Sequence, residues 1–267
     1  MHYTLSIPEL HREQNLQQRM LIISSPLVPA QLWRRIEEEL IQCRCLTVIA
    51  ELPGFCGSYA PGEMPTDPAL LATMLWGLLD NIDAQYRVPL SMWHIMSHGT
   101  SGHVALHMVR QFPDSVSSQI YINPVFALEL PQNITRMKEI YSSAVSSRSA
   151  FARFLHYYVR NTEPLDRATV DAMHGELSRR GSADTFIRTL RQAQYTHLKG
   201  IDYGPTMVMH GKNDPLYTEQ ASRAANRLLP GNEKHVLGNC GHYPMITHNK
   251  ATCDFLRGWL RFIERGH

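Results

Sequence analysis

Two residues able to move a proton stand in short loops that each follow an apolar run. Asp214 lies in His210-Gly211-Lys212-Asn213-Asp214-Pro215-Leu216, just after Thr206-Met207-Val208-Met209. His242 lies in Gly238-Asn239-Cys240-Gly241-His242-Tyr243-Pro244, just after His235-Val236-Leu237. An acid and then a histidine, carried after successive strands, can converge on one edge of a parallel sheet. There Asp214 orients the imidazole through a hydrogen bond and stabilises its protonated form. The plain readings are a turn or helix-cap residue for Asp214 and an ordinary loop position for His242. A third loop, Ser97-His98-Gly99-Thr100-Ser101-Gly102, sets small residues between a strand and a helix. The start of that helix offers free N–H groups and a positive dipole end to developing negative charge, with the Thr100 N–H a candidate donor. Gly99 contributes no side chain there. Ser101, in the first turn of the helix, reads most simply as a residue bonding backbone N–H groups.

Other reactive residues carry less. His103 and His107, among 14 histidines, are four apart and share a helix face, a spacing that can hold a metal. No carboxylate or third ligand sits nearby, so they read as two partly solvated helix residues. Cys43-Arg44-Cys45 is too close for zinc-ligand spacing and no second pair follows. No metal is expected, and no phosphate or dinucleotide fingerprint is present, so no organic cofactor is expected either. Five cysteines, an odd number without framework spacing, fit reduced thiols in a cytoplasm. A formal net charge of +2 gives no broad basic field, so nucleic acid and anionic membrane are not expected partners. No stretch approaches the ~20 apolar residues that span a bilayer, and Met1-His2-Tyr3-Thr4 does not open a signal peptide.

Alternating strands and helices must place the three loops on one edge. The chain has 267 residues, 43% hydrophobic and 19% charged, enough for one large domain or a core with an inserted subdomain. Continuous apolar runs at Met20–Ile23, Thr47–Ala50, Ser91–Met96, Ile120–Ile122, Thr206–Met209 and His235–Leu237 read as strands buried on both faces. Between them, Trp33 to Gln42, Ala69 to Tyr86 and Ser101 to Gln111 carry helical spacing. That alternation implies βαβ crossovers and a mostly parallel, doubly wound α/β sheet. Residues 131–203 break the rhythm: they read as helical throughout, with Phe151, Phe154, Leu155 and Tyr158 in a stripe best explained by packing. The expected organisation is a core of 1–130 and 204–267, with 131–203 an all-helical cap over the C-terminal ends of the strands.

From about Met20 to Ile263 this pattern resembles the α/β-hydrolase superfamily. Glu51-Leu52-Pro53-Gly54-Phe55-Cys56-Gly57-Ser58 is similar to its D-x-x-G-x-G-x-S turn, with Cys56, in place of a glycine, expected to be a packed thiol. Ile95 to Leu106 is similar to its strand, elbow and helix, often G-H-S-x-G-G-x-V-A, and His98 is expected to pack and support the loops. The loops of Asp214 and His242 resemble those that supply its acid and histidine. The resemblance therefore implies catalytic positions at Asp214 and His242, and at Gly99 the elbow position where the family carries Ser, Asp or Cys. Sliding the register to make Ser101 the nucleophile fails at His103 and spoils the helix match. The family also takes an oxyanion donor from the loop after an early strand. Here that loop reads Ser24-Ser25-Pro26, and proline has no N–H, so a Ser24 or Ser25 hydroxyl is the expected substitute beside Thr100 N–H.

Three functions fit these departures. The first is an enzyme that uses the Asp214–His242 dyad for non-covalent acid–base chemistry: elimination, cyclisation, isomerisation, carbon–carbon cleavage, or hydrolysis by an activated water. The resemblance permits lyase, cyclase or natural-product tailoring roles, on a small and mostly apolar substrate. The second is a ligand-binding protein without turnover. The third is an esterase, thioesterase or peptidase whose elbow serine was mutated to glycine at 99, against which Pro26 argues, because one engineered change does not explain both departures.

Overall fold

The computed structural model describes residues 1–8, 18–58, 64–86, 92–126, 146–159, 165–179, 182, 185, 187–189 and 204–266. Its frame is a seven-stranded sheet of β1 (Tyr3–Ser6), β2 (Gln18–Ser24), β3 (Cys45–Glu51), β4 (Trp93–His98), β5 (Val116–Ile122), β6 (Thr206–Gly211) and β7 (Glu233–Leu237), ordered β1-β3-β2-β4-β5-β6-β7. All neighbours are parallel except β1, which lies antiparallel on β3 and is not foreseen from the sequence pattern. The apolar runs are continuous because successive side chains enter opposite layers. Met20, Ile22, Met96, Ile120, Met207 and Met209 face one core, and Leu21, Ile23, Ile95, Tyr121 and Val208 the other.

Helices cover both faces. On the first lie α1 (Arg34–Gln42), with Ile36 and Leu40 buried, and the C-terminal α7 (Asn249–Glu264), which packs on it. On the second lie α2 (Pro68–Tyr86), α3 (Gly102–Gln111) and α6 (Glu219–Leu228), all contributing to the same core. The Asp67 carboxylate caps α2 by accepting the Leu70 N–H at 2.8 Å. Within 131–203, the described residues include α4 (Arg148–Val159) and α5 (Arg167–Leu177), which pack together through Phe151, Phe154, Leu155, Val170, Met173 and Leu177. The expected cap continues into 131–145 and 190–203, and the Tyr158 side chain belongs to it; these lie outside the described residues.

Two features of the topology place the candidate loops. The chain leaves β2 for β3 on one side, then crosses back to β4 on the other, so a crevice opens between the C-terminal ends of β2 and β4. The pairing of Ile23 with Ser97 carries Ser24 and Ser25 up beside His98 and Gly99. Further along the sheet, the loops after β6 and β7 are laced together: Lys212 N–H donates to the Leu237 carbonyl at 2.8 Å and Asn213 N–H to the Cys240 carbonyl at 2.9 Å. The approach is so close that a Cβ on Gly211 would stand 2.2 Å from the Gly241 oxygen and 2.4 Å from the Cys240 oxygen. Both are backbone atoms and cannot swing aside.

Gly211→Ala is therefore expected to destabilise the fold by about 3 kcal/mol or more, in the range of severe overpacking. Gly258→Ala, on helix α7 with nothing within 4 Å of the added carbon, is expected to stabilise by about 0.5–1 kcal/mol. Urea titration of the two variants checks the contrast; equal midpoints would contradict it.

Candidate active site

Asp214 and His242 meet at the edge of the crevice. The His242 Nδ1–H donates to Asp214 Oδ2 at 2.8 Å, and both side chains are buried. The other carboxylate oxygen, Oδ1, accepts the Leu216 N–H at 2.8 Å. Asn123, at the end of β5, gives Oδ2 a second hydrogen from its side-chain Nδ2. Burial by itself pushes the Asp214 carboxyl upward, but the charge of His242 and the hydrogen bonds from His242, Asn123 and Leu216 outweigh it, and its pKa lies below the ordinary 3.8. With Nδ1–H committed to the carboxylate, neutral His242 presents the lone pair of Nε2 on its other side.

That lone pair faces Gly99. The residue sits in the sharp turn between β4 and a short 3-10 segment (Gly99–Ser101), with φ at +59°, where a side chain is strained and glycine is not. A Cβ built there would lie 3.4 Å from His242 Nε2 and 3.7 Å from the Ser25 Cβ. Residue 99 is thus the position above which the imidazole stands. Thr100, the next residue, opens the helical turn, and its N–H precedes the first possible intrahelical bond.

His98 holds the histidine loop from below. It is fully buried, and its Nε2 faces the His242 carbonyl at 2.7 Å, which requires a proton on Nε2. Its Nδ1 is then an acceptor and takes the Ser25 hydroxyl hydrogen at 2.7 Å. Burial, reinforced by His242, pushes the His98 pKa down to about 3, in keeping with this neutral tautomer. The support expected of His98 is what the structure shows.

The Ser24 and Ser25 hydroxyls, expected as oxyanion donors, are engaged in bonds within the fold. Ser24 Oγ donates to the Val28 carbonyl and accepts the Trp33 indole N–H at 2.9 Å, so it closes its own loop. Ser25 has given its hydrogen to His98. Ser101 is buried and donates to the Ser24 carbonyl at 3.0 Å, so its hydroxyl ties α3 to β2 rather than serving His242. His103 also departs from expectation. It is buried, not partly solvated, because α3 is packed against the segment after β5, and its Nε2–H donates to the Val125 carbonyl at 2.9 Å. His107 is half-buried on the same helix. Cys56 is a packed thiol as expected, its pKa raised chiefly by burial. Asn123 is a residue that the sequence pattern does not single out; its one signal is a polar side chain directly after the apolar run Ile120-Tyr121-Ile122, at a strand's C-terminal end.

The profile of the alpha/beta hydrolase family matches residues 26–255. The chain belongs to that family. It is 20% identical over 243 residues to the 2-hydroxy-6-oxononadienedioate/2-hydroxy-6-oxononatrienedioate hydrolase of Escherichia coli K12, covering 85% of this chain and 80% of that one. Among solved structures, the 2-hydroxy-6-oxo-6-phenylhexa-2,4-dienoate hydrolase of Rhodococcus sp. strain RHA1 superposes with a TM-score of 0.76 at 18% identity, covering 94% of this chain and 92% of that one. A thermophilic esterase from Thermogutta terrifontis gives 0.73 at 15% identity, covering 98% and 93%. These identities speak for the fold. Among the described residues, no group of three or more His, Cys, Asp or Glu side chains is set to hold a metal, and no helix is long and apolar enough to cross a membrane.

Three buried histidines give this family member a pH signature. Burial lowers His94 and His103 to about 4, and His98 to about 3. Each is depressed below its unfolded value of 6.5, so the unfolded chain binds protons that the native one refuses. The stability they contribute is full above pH 6.5 and is lost as pH falls towards 4; the lowered Asp214 acts in the same direction below that. On unfolding near pH 5 these sites are expected to bind as many as three further protons, roughly 4 kcal/mol per pH unit at most, and His94→Gln is expected to reduce that number by one. Urea midpoints measured from pH 7 to pH 4 check this, and a flat profile refutes it.

Proposed function

We propose that this chain is an enzyme in which the Asp214–His242 dyad performs non-covalent acid–base chemistry on a small, mostly apolar organic molecule. The observation that carries the reading is the pairing of an oriented, acceptor-ready His242 Nε2 with Gly99, at 3.4 Å from the Cβ that the residue lacks. In the family pattern that the elbow resembles, that position carries the nucleophile. Here a base faces a glycine, and it works on a substrate C–H or O–H, or on a water. Reactions of this kind include elimination, cyclisation, isomerisation, and carbon–carbon or ester cleavage by an activated water. The similarity to hydrolases of 2-hydroxy-6-oxo-dienoate compounds favours the last. Asp214 keeps the imidazole in the Nδ1–H tautomer and stabilises the imidazolium formed in the step. Thr100 N–H is the donor for an oxyanion or enolate. The committed hydroxyls of Ser24 and Ser25, with the missing N–H of Pro26, argue against the two-donor oxyanion hole of a covalent hydrolase.

Proton abstraction from 5-nitrobenzisoxazole tests the base without knowledge of the natural substrate. Turnover is expected from the unmodified chain, with a loss of about 10²–10⁴ in His242→Ala. In parallel, a fluorophosphonate probe is expected to leave the unmodified chain unlabelled and to label Gly99→Ser, whose new hydroxyl falls beside Nε2. Stoichiometric labelling of the unmodified chain would refute the reading, as would benzisoxazole turnover indifferent to His242.

A further inference from the structure

We infer that Asn123 is a positioning residue for the Asp214–His242 dyad, clamping both halves through one side-chain amide. The inference rests on the acid–base reading above. Asn123 is fully buried at the end of β5, where its N–H donates to the Met209 carbonyl at 2.8 Å and fixes it to β6. Its Nδ2 gives one hydrogen to Asp214 Oδ2, the oxygen that also receives the imidazole N–H, and the other to the Gly241 carbonyl at 3.3 Å. Gly241 is the residue before His242, so the same amide holds the carboxylate and the peptide that carries the base. Two acceptors on one nitrogen also settle which end of the amide faces the dyad.

Two unfavourable features persist at this residue. Its φ is +45°, in the left-handed region, and its Oδ1 is buried with no hydrogen-bond partner. A turn alone would be served by glycine, which adopts that φ without strain and leaves no orphaned acceptor. What glycine cannot supply is the amide hydrogen on Asp214. Sharing Oδ2 between two donors draws part of the carboxylate's charge away from the imidazole and fixes its plane. His210, Tyr217 and Cys240 also feel the Asp214 charge, and none of them gives the carboxylate a hydrogen.

The test is the titration of His242 in full-length protein carrying ¹⁵N-labelled histidine, followed by NMR, with the His242→Ala spectrum for assignment. Asn123→Gly keeps the backbone conformation and deletes the amide. It is expected to raise the proton affinity of His242 about tenfold, because the undivided carboxylate favours the imidazolium, and to broaden the Nδ1–H resonance through faster exchange. Asn123→Ala likewise deletes the amide, and is expected to raise that affinity to a similar degree. A His242 titration within twofold of the unmodified chain in both folded variants would overturn the inference. So would collapse of the fold in both, which would make Asn123 a turn residue alone; if only one folds, its titration decides. Benzisoxazole turnover that ignores His242 would instead defeat the acid–base reading, while the imidazole titration still reports on Asn123.

Discussion

The site depends on one steric constraint: the loop after β7 lies against the end of β6 so closely that residue 211 has room only for hydrogen. With Gly211 in place, the backbone hydrogen bonds from Lys212 and Asn213 lace the two loops together, and Asp214 and His242 come within 2.8 Å. A buried acid–imidazole bond is favourable only when the geometry is good and the remaining lone pairs are satisfied. Here Leu216 N–H and the Asn123 amide supply the rest of the carboxylate's partners, and the pair remains charge-ready in a buried place.

The same demand for hydrogen-bond partners governs the surroundings of Gly99. Three serine hydroxyls near it are engaged in holding the fold. Ser24 closes its loop on Val28 and Trp33, Ser25 serves His98, and Ser101 ties α3 to β2. His98 joins the β2 loop to the histidine loop through its two ring nitrogens, so the tautomer of one buried histidine fixes the direction in which Ser25 donates. Polar groups are plentiful around Gly99, and on the proposed reading the one that acts on a bound molecule is His242 Nε2.

Family membership fits this picture without dictating the chemistry. The alpha/beta hydrolase sheet presents the ends of β2, β4, β6 and β7 to a common crevice whatever the loops contain, and functions diverge by changes in those loops. Against the family pattern that the sequence resembles, this chain departs at Gly99 and at Ser24–Pro26, while its acid and histidine loops follow the pattern.

The sequence alone determined the alternation of strands and helices, because strands buried on both faces must be continuously apolar and the helices between them must be amphipathic. It also marked Asp214, His242 and the small-residue turn at Gly99, since polar residues abutting the C-terminal ends of such strands stand out. Edge strand β1 escaped it: Tyr3–Ser6 is half-buried and pairs on one side only, so it carries no strong apolar pattern. Only the tertiary structure decided where each hydrogen goes. Serines 24, 25 and 101 are equivalent donors on paper, and which is free depends on the acceptors that folding brings from 4 to 77 residues away. His103 reads as half-solvated because helical spacing tells which residues share a face, not whether another segment covers it. Asn123 is silent for the same reason: its two acceptors lie 91 and 118 residues along the chain, and only the parallel sheet makes them neighbours.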